Sequence, residues 1–426
     1  MTQITFLVGS SYPDFSAVSY CVYQVQKCLT EEFDVSVISC REGLSQPLEG
    51  RFDKINVHRI ETDYMRVRAK ASAKTGRMAR ARLFLLRLQG AARRLLSSET
   101  IDRPFLSEYQ MRLENMNPRP EVIVPVVFPF ETVLAALAFK RAHPEVIVIP
   151  YLFDDFVDSG SLHVLKLARF LKRGRHLRLE CRMLEDADAV ISMHPLRAHL
   201  ERNFPSNLLE KITYLEHPLL IQPGSACVSR HEDGVTRLCY TGSLINNVRD
   251  PSYLVALLRA IRPGQTVQAD FYVMGNAARK IPTQAGGGSV QIINYGRVPK
   301  PEADAAVWNA DILINLGDAQ GKQVSSKVFE YMATGKPIVH LAYVPDDAVT
   351  SILAKYPLAL CLVQDQCRFK ENVRLFLEFI TTRRRDMLNF ETVKAIYPEA
   401  LPETSAMVFR QILISSKINI LSRVGE

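Results

Sequence analysis

The sequence has no uninterrupted apolar run long enough to cross a bilayer. Its most apolar region, residues 122–139, is broken by Pro125, Pro129 and Glu131, whereas a spanning helix needs about 20 consecutive apolar residues. The first residues pass directly into the apolar segment 4–8, without the basic region or cleavage site of a signal peptide. We therefore expect a cytoplasmic chain without membrane-spanning helices.

Closely spaced cysteine pairs are also absent. The eight cysteines stand at positions 21, 28, 40, 181, 227, 239, 361 and 367, and no two have CxxC spacing. Zinc sites and dithiol redox sites commonly use that spacing. Scattered thiols in a chain of 426 residues are instead typical of reduced core cysteines, which fits the cytoplasm. The sequence also contains no internal repeat or low-complexity tract, which excludes a solenoid.

Short apolar runs alternate with helical amphipathic stretches in both halves of the chain. Nearly all-apolar runs are typical of strands that are covered on both faces. The strand candidates of the first half are residues 4–8, 35–38, 122–127, 146–150 and 189–192. Those of the second half are residues 237–240, 271–274, 290–295, 312–316, 338–341 and 358–362.

This alternation predicts an α/β fold with two Rossmann-like, doubly wound domains facing a cleft, because strand–helix alternation builds parallel sheets with right-handed crossovers. We expect the domains to span residues 1–218 and 225–400, joined by a linker near 218–230. The C-terminal helical segment, 404–426, is a candidate to pack on the first domain. Ligands of such folds bind at the carboxyl ends of the strands.

The most informative segment is residues 325–337, Ser-Ser-Lys-Val-Phe-Glu-Tyr-Met-Ala-Thr-Gly-Lys-Pro, which follows the strand candidate 311–316. Its two serines are suitable N-caps. Gly335 is a suitable C′ residue, and Pro337 cannot continue a helix. The pattern predicts a short helix over about residues 326–333 that begins at the carboxyl end of a strand.

Two interpretations of this helix are open. In the functional one, the first amides of the helix bind an anion together with Ser326 and Lys327. Glu330, one turn further, then accepts hydrogen bonds from a pair of sugar hydroxyls, which matches the pyrophosphate and ribose of a nucleotide. In the structural one, the helix is an ordinary amphipathic helix, with its apolar residues in the core and Glu330 in solvent.

Residues 326–339 closely resemble the donor-site signature of GT-B-fold glycosyltransferases, in particular the large retaining family 4. The likeness extends, in the right order, over most of residues 180–345. The other matching segments are Glu180 with 187–192, then 240–244 (Tyr-Thr-Gly-Ser-Leu), 271–275, 295–298 and 307–316.

The resemblance implies roles for individual residues. Glu330 occupies the position of the glutamate that binds the donor ribose. The positions that correspond to the glycine loop and the pyrophosphate contacts are Gly242, Ser243, Ser325, Ser326 and Lys327. A basic residue shortly after the glycine loop usually binds phosphate as well. Arg249 is the candidate here, and a solvent-facing loop arginine is the alternative.

The sequence departs from the family pattern at two places. Lys322 stands where many members carry a second glutamate, eight positions before the ribose-binding one. The donor sugar must then be bound by other groups, with Asp318 or Gln320 as candidates. The first loop, residues 9–17, has serine and alanine in place of the usual glycine pair. These residues are small, and we expect a helix to begin there.

The resemblance further implies that no metal ion or other cofactor is needed, because helix dipoles and cations stabilise the leaving diphosphate. Asp186-Ala187-Asp188 looks like the metal-binding DxD motif, but its position between a helix and a strand favours a structural role. Asp154 and Asp155 follow the strand candidate 146–150. They could orient a donor or acceptor hydroxyl, or cap a helix. Retention is implied without an assigned nucleophile, and His217 in the linker is most simply a packed residue.

Basic residues are concentrated in the first half. Residues 66–94 contain ten Lys or Arg and no acid, and residues 166–182 contain seven against Glu180 alone. Positions 78, 81, 85, 88, 92 and 95 form an apolar helical stripe flanked by arginines. Segment 66–96 could lie on an anionic membrane surface, hold an acidic acceptor, or pack on the first domain. Nucleic-acid binding is not expected, because aromatic residues are not interleaved with the basic run.

These observations predict a glycosyltransferase, cytoplasmic or peripheral at the inner face of the membrane. It would move a sugar from a nucleotide-diphosphate sugar to a glycan or lipid-linked acceptor in polysaccharide biosynthesis. Two alternatives are open. One is a nucleotide-sugar epimerase on the same fold, and the other is a non-catalytic nucleotide-sugar-binding protein, which Lys322 makes conceivable.

Overall fold

The computed structural model describes residues 1–13, 15–73, 76–97, 99–157, 166–222, 233–261, 266–282, 284–286 and 290–424. It divides into two compact units. The first comprises Met1–Pro218 and Pro402–Glu426, and the second Leu219–Leu401. Among the described residues, no helix combines the length and the apolar character that crossing a membrane requires.

The first unit is a layered α/β structure. Its strands are β1 (Gln3–Leu7), β2 (Asp34–Cys40), β3 (Glu49–Phe52), β4 (Ile55–Ile60), β5 (Val122–Pro125), β6 (Ile147–Val148), β7 (Tyr151–Leu152), β8 (Val190–Met193) and β9 (Ile212–Leu215). Its helices before residue 218 are α1 (Ala17–Leu29), α2 (Asp63–Ser72), α3 (Arg77–Leu96), α4 (Arg103–Glu114), α5 (Glu131–Ala142), α6 (Lys166–Asp186), α7 (Arg197–Asn203) and α8 (Ser206–Leu209).

The main sheet of this unit has the strand order β3-β4-β2-β1-β5-β6. All its pairs are parallel except the β3–β4 hairpin. Every residue of β1 and β5 is buried, because helices cover both faces of a central parallel strand. A small parallel sheet, β7-β8-β9, completes this unit, and the bridge between Val126 and Tyr151 connects it to the main sheet.

The second unit repeats the architecture. Its strands are β10 (Thr236–Ser243), β11 (Val267–Met274), β12 (Gln284–Gly286), β13 (Val290–Asn294), β14 (Ile312–Leu316), β15 (Ile338–Ala342) and β16 (Ala359–Val363). Its helices are α9 (Ser252–Arg259), α10 (Lys300–Asn309), α11 (Lys327–Ala333), α12 (Ala348–Leu353), α13 (Phe369–Thr382) and α14 (Phe390–Ile396).

The sheet of the second unit, called the second sheet below, has the strand order β12-β13-β11-β10-β14-β15-β16, and only β12 is antiparallel. Without β12, this is the 3-2-1-4-5-6 order of a dinucleotide-binding Rossmann sheet. The chain leaves β10 toward one side and returns to its other side as β14. The switch point therefore lies between β10 and β14, where such folds bind ligands at the carboxyl ends of the strands.

The last helix, α15 (Pro402–Val424), belongs to the first unit. Its Phe409 ring packs edge-on against Phe6 of β1 and Tyr151 of β7. Arg410 donates a hydrogen bond to the carbonyl of Cys28 at 3.1 Å and pairs with Glu32 at 3.0 Å. The helix is thus attached to α1 and to the sheet of the first unit.

Candidate nucleotide-binding site

Lys327, the first residue of α11, lies across the backbone of Gly242 near the end of β10. Gly242 has φ +147°, which side chains rarely tolerate, and an added Cβ would lie 3.6 Å from the Lys327 Cε. The ammonium of Lys327 donates a hydrogen bond to Thr241 Oγ1 at 3.2 Å. The structure therefore brings the predicted glycine loop and the predicted lysine together at the switch point of the sheet.

Tyr331 anchors α11 to Thr241 of β10. Its phenol oxygen accepts a hydrogen bond from the Thr241 amide at 3.0 Å and lies 3.1 Å from the Thr241 hydroxyl. The side chain is buried, and burial holds the pKa of Tyr331 far above its usual range, so the phenol stays neutral. Because Tyr331 is one turn after Lys327, this anchor sets where the lysine can reach. The sequence pattern did not reveal it.

The helix itself is short and only partly as predicted. Ser326 precedes it with αR backbone angles and makes no side-chain capping hydrogen bond, so the predicted serine cap is wrong for Ser326. At the other end, Gly335 has φ +73°, and an added Cβ would approach the Leu388 carbonyl oxygen to 1.9 Å. The predicted C′ glycine is therefore confirmed. The apolar residues of the helix are buried, as both interpretations require.

Glu330 stays accessible. Its carboxylate is 3.4 Å from the ammonium of Lys300, and the two side chains are 24% and 42% exposed. Lys300 also pairs with Asp304 at 3.0 Å. Exposed pairs of this kind contribute about 0–1 kcal/mol, so a ligand can displace Lys300 at little cost. Ser325, like Glu330, is partly exposed.

Arg249 follows the glycine loop in a tight turn. The amide and carbonyl of Arg249 exchange hydrogen bonds with Ile245 at 2.8 and 3.2 Å, and Asn247 at the tip has φ 62°. Burial raises the pKa of Tyr240 to about 12, although the adjacent Arg249 guanidinium acts in the opposite direction. The buried Nε of Arg249 has no hydrogen-bond partner among the described residues. Arg249 therefore supplies a cationic hydrogen-bond donor near Gly242, at the carboxyl end of β10.

Asp318, a candidate to bind the donor sugar, is hydrogen-bonded within its own loop. Its two carboxylate oxygens accept hydrogen bonds from the amides of Gln320 and Gln323 at 2.9 and 2.8 Å, and the residue is only 6% exposed. This geometry makes Asp318 an organiser of the loop after β14 and leaves little of it for a sugar. Lys322 in the same loop is exposed.

A buried hydrogen-bonded chain supports that loop. Asn315 Nδ2 donates to His340 Nδ1 at 2.8 Å, and His340 Nε2 donates to Asp347 Oδ1 at 2.8 Å. Burial raises the pKa of Asp347, but hydrogen bonds from His340 and from backbone amides outweigh burial and lower it overall. An added Cβ at Gly317 would lie 3.1 Å from Asp347 Oδ2. No sequence motif marks these three residues, which come from β14, β15 and the start of α12.

In the first unit, Asp155 belongs to a carboxylate–imidazole chain. His199 Nδ1 lies 3.3 Å from Asp155, and His199 Nε2 lies 2.8 Å from the buried Glu180. Burial raises the pKa of Glu180, and the hydrogen bond with His199 opposes this effect. The three ligand atoms are close enough to share a cation, but both ring nitrogens of His199 already face carboxylates. Sequence reasoning missed His199; Asp154 is half-buried beside this chain.

Three further predictions can be placed. Asp188 pairs with Lys140 at 2.5 Å and accepts a hydrogen bond from the Val148 amide, which is the structural role expected for the DxD-like sequence. Ser16 caps α1 in a capping box, so a helix does begin at the first loop. His217 is buried beside the Phe153 ring, and burial lowers its pKa to about 4.

No protein-family model and no curated protein sequence matches the chain. Solved structures are similar to it over nearly its whole length. Sucrose-phosphate synthase from Thermosynechococcus elongatus has TM-score 0.62 and 12% identity, with 97% of this chain and 100% of that one covered. HepE from Anabaena, in complex with UDP, has TM-score 0.59, 12% identity and the same coverage. TarM has TM-score 0.57 and 8% identity, covering 97% and 98%.

These neighbours and the two Rossmann-like units define the class: the chain has the GT-B fold of glycosyltransferases. The fold prediction is therefore confirmed. At 8–12% identity the likeness extends to the fold alone, so membership of family 4 and the roles of individual residues stay predictions.

Proposed function

We propose that this protein is a glycosyltransferase that moves a sugar from a nucleotide-diphosphate sugar to an acceptor. One observation carries the proposal: Lys327 lies across Gly242 at the switch point of the second sheet, with the accessible carboxylate of Glu330 one turn away. A cation beside a side-chain-free backbone suits a diphosphate. A carboxylate near it suits the ribose diol.

In this proposal, the diphosphate contacts the glycine-loop backbone at Gly242 and Ser243 and is neutralised by Lys327 and Arg249. Ser325 and Ser326 supply further hydrogen-bond donors at the start of α11. Glu330 exchanges its contact with Lys300 for the hydroxyls of the ribose. The Anabaena neighbour was solved with UDP, so a UDP-sugar is the first donor to test.

The reaction follows from these contacts. The bond between the anomeric carbon and the diphosphate oxygen breaks, and the diphosphate leaves with the electron pair. An acceptor hydroxyl oxygen forms the new bond, and its proton passes to the departing diphosphate. Fixed cations and donors stabilise charge on the leaving diphosphate, so we propose that Lys327 and Arg249 take the role that a divalent metal has in other transferases. We also propose retention at the anomeric carbon and assign no nucleophile.

The first unit supplies the acceptor side in this proposal. Asp155, held by His199, and its neighbour Asp154 are the candidates to orient an acceptor or donor hydroxyl. The acceptor class we propose is a glycan or a lipid-linked saccharide of polysaccharide biosynthesis. The exposed basic helix α3 within segment 66–96 favours an acceptor presented at an anionic membrane surface, on the inner face of the membrane.

The test has two stages. Thermal shift across a panel of nucleoside diphosphates should identify one that raises the melting temperature, because a ligand of the native state stabilises it. The matching nucleotide sugars are then incubated with and without candidate acceptors, for the wild type and Lys327→Met. Transfer that requires Lys327 supports the proposal. Interconversion of the donor without acceptor would identify an epimerase, and binding without turnover a non-catalytic protein.

A further inference from the structure

Two helices of the first unit each carry a group of strongly exposed large apolar side chains. Isolated exposed apolar residues are ordinary, but groups of them mark interaction surfaces. Those on α3 are Met78, 88% exposed, Phe84, 61%, Leu85, 63%, and Leu88, 50%. Those at the start of α6 are Leu167, 70% exposed, Phe170, 76%, and Leu171, 66%.

The described side chains of the α3 stripe, at positions 78, 81, 85, 88 and 92, face solvent. The opposite side of the helix packs on α2, where the Tyr64 hydroxyl donates to the Leu86 carbonyl at 2.9 Å and contacts Gly90. At 3.6 residues per turn, Met78, Phe84, Leu85 and Leu88 fall within an arc of about 120°. The described side chains of the stripe therefore do not pack on their own domain, which was one of the options for this segment.

The exposed face of α6 combines apolar and basic residues. Leu167, Phe170 and Leu171 have the i, i+3, i+4 spacing that places side chains on one helical face. Arg175 and Arg178 continue this face toward the C-terminal end; both are exposed and neither forms an ion pair with a described residue. The same holds for Arg80 and Arg82, which flank the stripe of α3.

The two helices are attached to each other through the segment after α3. The ring of His176, in the middle of α6, lies 2.9 Å from the Glu99 carbonyl and 3.3 Å from the Thr100 hydroxyl. Lys172 donates to the same hydroxyl at 3.4 Å. The buried contacts of α6 thus hold the segment just after α3, while Phe170 near the start of α6 is exposed.

We propose that α3 and α6 together form a docking surface for an anionic lipid bilayer, with Phe84 and Phe170 entering the boundary between headgroups and acyl chains. Amphipathic helices with arginines beside exposed Phe and Leu bind such boundaries. The choice of occupant rests on charge, because residues 66–94 carry ten basic residues and no acid. Each cation near an anionic bilayer contributes favourably, and an uncharged protein partner would not use them. This surface deepens the proposed function by naming where the transferase works.

The experiment is sedimentation of the full chain with vesicles. One set is phosphatidylcholine alone, and the other is an equimolar mixture of phosphatidylcholine and phosphatidylglycerol. The variants are Phe84→Gln, Phe170→Gln and their combination. Met111→Gln is the matched control, because Met111 is an exposed apolar residue of the same unit on α4. Melting curves establish that each variant is folded.

Binding to the mixed vesicles that exceeds binding to neutral ones, reduced about tenfold by each Phe→Gln change and unaffected by Met111→Gln, supports the surface. Equal binding to both vesicle types would overturn the proposed surface. So would a result in which Phe84→Gln abolishes vesicle binding and Phe170→Gln leaves it intact. Absence of vesicle binding, together with concentration-dependent dimerisation lost in the variants, would assign the surface to a second copy instead. Nucleotide binding, measured without vesicles, tests the transferase proposal separately.

Discussion

The phenol of Tyr331 accepts a hydrogen bond from the amide of Thr241 at 3.0 Å, which links α11 to the central strand of the second sheet. Tyr331→Phe keeps the ring and removes this acceptor, leaving the Thr241 amide unpaired in a buried place. We expect a loss of about 1–3 kcal/mol in the free energy of unfolding and weaker nucleotide binding, because Lys327 is no longer held. Urea titration and calorimetry measure the two effects. Tyr12→Phe, at a 40% exposed tyrosine, is the control, and equal losses in both variants would contradict the anchor.

Lys327 and Lys322 provide a matched pair for the donor site. Lys327 lies over Gly242, whereas Lys322 is exposed five residues earlier. We expect Lys327→Met to lower kcat by about 100-fold or more, as removal of a fixed electrostatic contact to a developing charge does, with little change in melting temperature. Lys322→Met should leave kcat within a few-fold of wild type. Steady-state kinetics give kcat for both variants. A larger loss of kcat in Lys322→Met would contradict the assignment of Lys327 to the diphosphate site.

Glu330 is expected to bind the ribose diol. Glu330→Gln should weaken binding of the ribonucleotide about tenfold, since hydrogen bonds to a charged acceptor are the stronger ones. The same variant should change binding of the 2′-deoxynucleotide much less, because one partner hydroxyl is already missing. Calorimetry of both nucleotides with wild type and with Glu330→Gln gives the four affinities of a double-mutant cycle. Equal losses for the two nucleotides would place Glu330 away from the sugar.

Lys300 gives the complementary test of Glu330. Its ammonium pairs with the Glu330 carboxylate in the structure, and our proposal has the nucleotide replace it. Lys300→Met should therefore bind nucleotide as well as wild type or slightly better. A loss of affinity comparable to that of Glu330→Gln would show that the pair itself is needed.

His217 predicts a pH dependence of stability. Burial lowers its folded-state pKa from 6.5 to about 4. As pH falls from 6.5 toward 4, the unfolded chain takes up the proton and the folded chain does not, so the native state loses stability over this window. The total loss in the free energy of unfolding from this pKa shift is about 3 kcal/mol, and it is complete below pH 4. Thermal melts of wild type and His217→Asn measure this effect. The difference in melting temperature between the two proteins should shrink as pH falls. A difference that does not change with pH would contradict a neutral, buried His217.

Much of the second unit was predictable because its information is local. The alternation of apolar strands and amphipathic helices specifies a parallel α/β sheet through burial and the right-handed crossover. Gly335 marks a helix end because only glycine adopts φ +73° against the Leu388 carbonyl. The resemblance in residues 326–339 then identified the segment that lies at the switch point.

Other parts of the site were not predictable from local pattern. His340 and Asp347 meet Asn315 only because β14 and β15 are adjacent in the sheet. His199 of α7 contacts Asp155, in the loop after β7, and Glu180 of α6, so three separate segments contribute to this chain. Asp318 looked available for a sugar, yet the loop folds so that its own amides occupy the carboxylate. The Asn315–His340 and Glu180–His199 pairs join residues 25 and 19 positions apart, and pairs of this kind leave no periodic signal.

The sequence by itself determined the main parallel sheet of each unit, the short helix after β14 and the amphipathic character of α3, since each follows from residue spacing and backbone preference. Only the tertiary structure decided what each face meets. Lys327 lies over Gly242, Glu330 is partly exposed beside Lys300, and the described side chains of the α3 stripe are exposed, as is Phe170 of α6. The reason is physical. Periodicity states which side chains share a face, whereas contacts between distant segments state whether that face is covered.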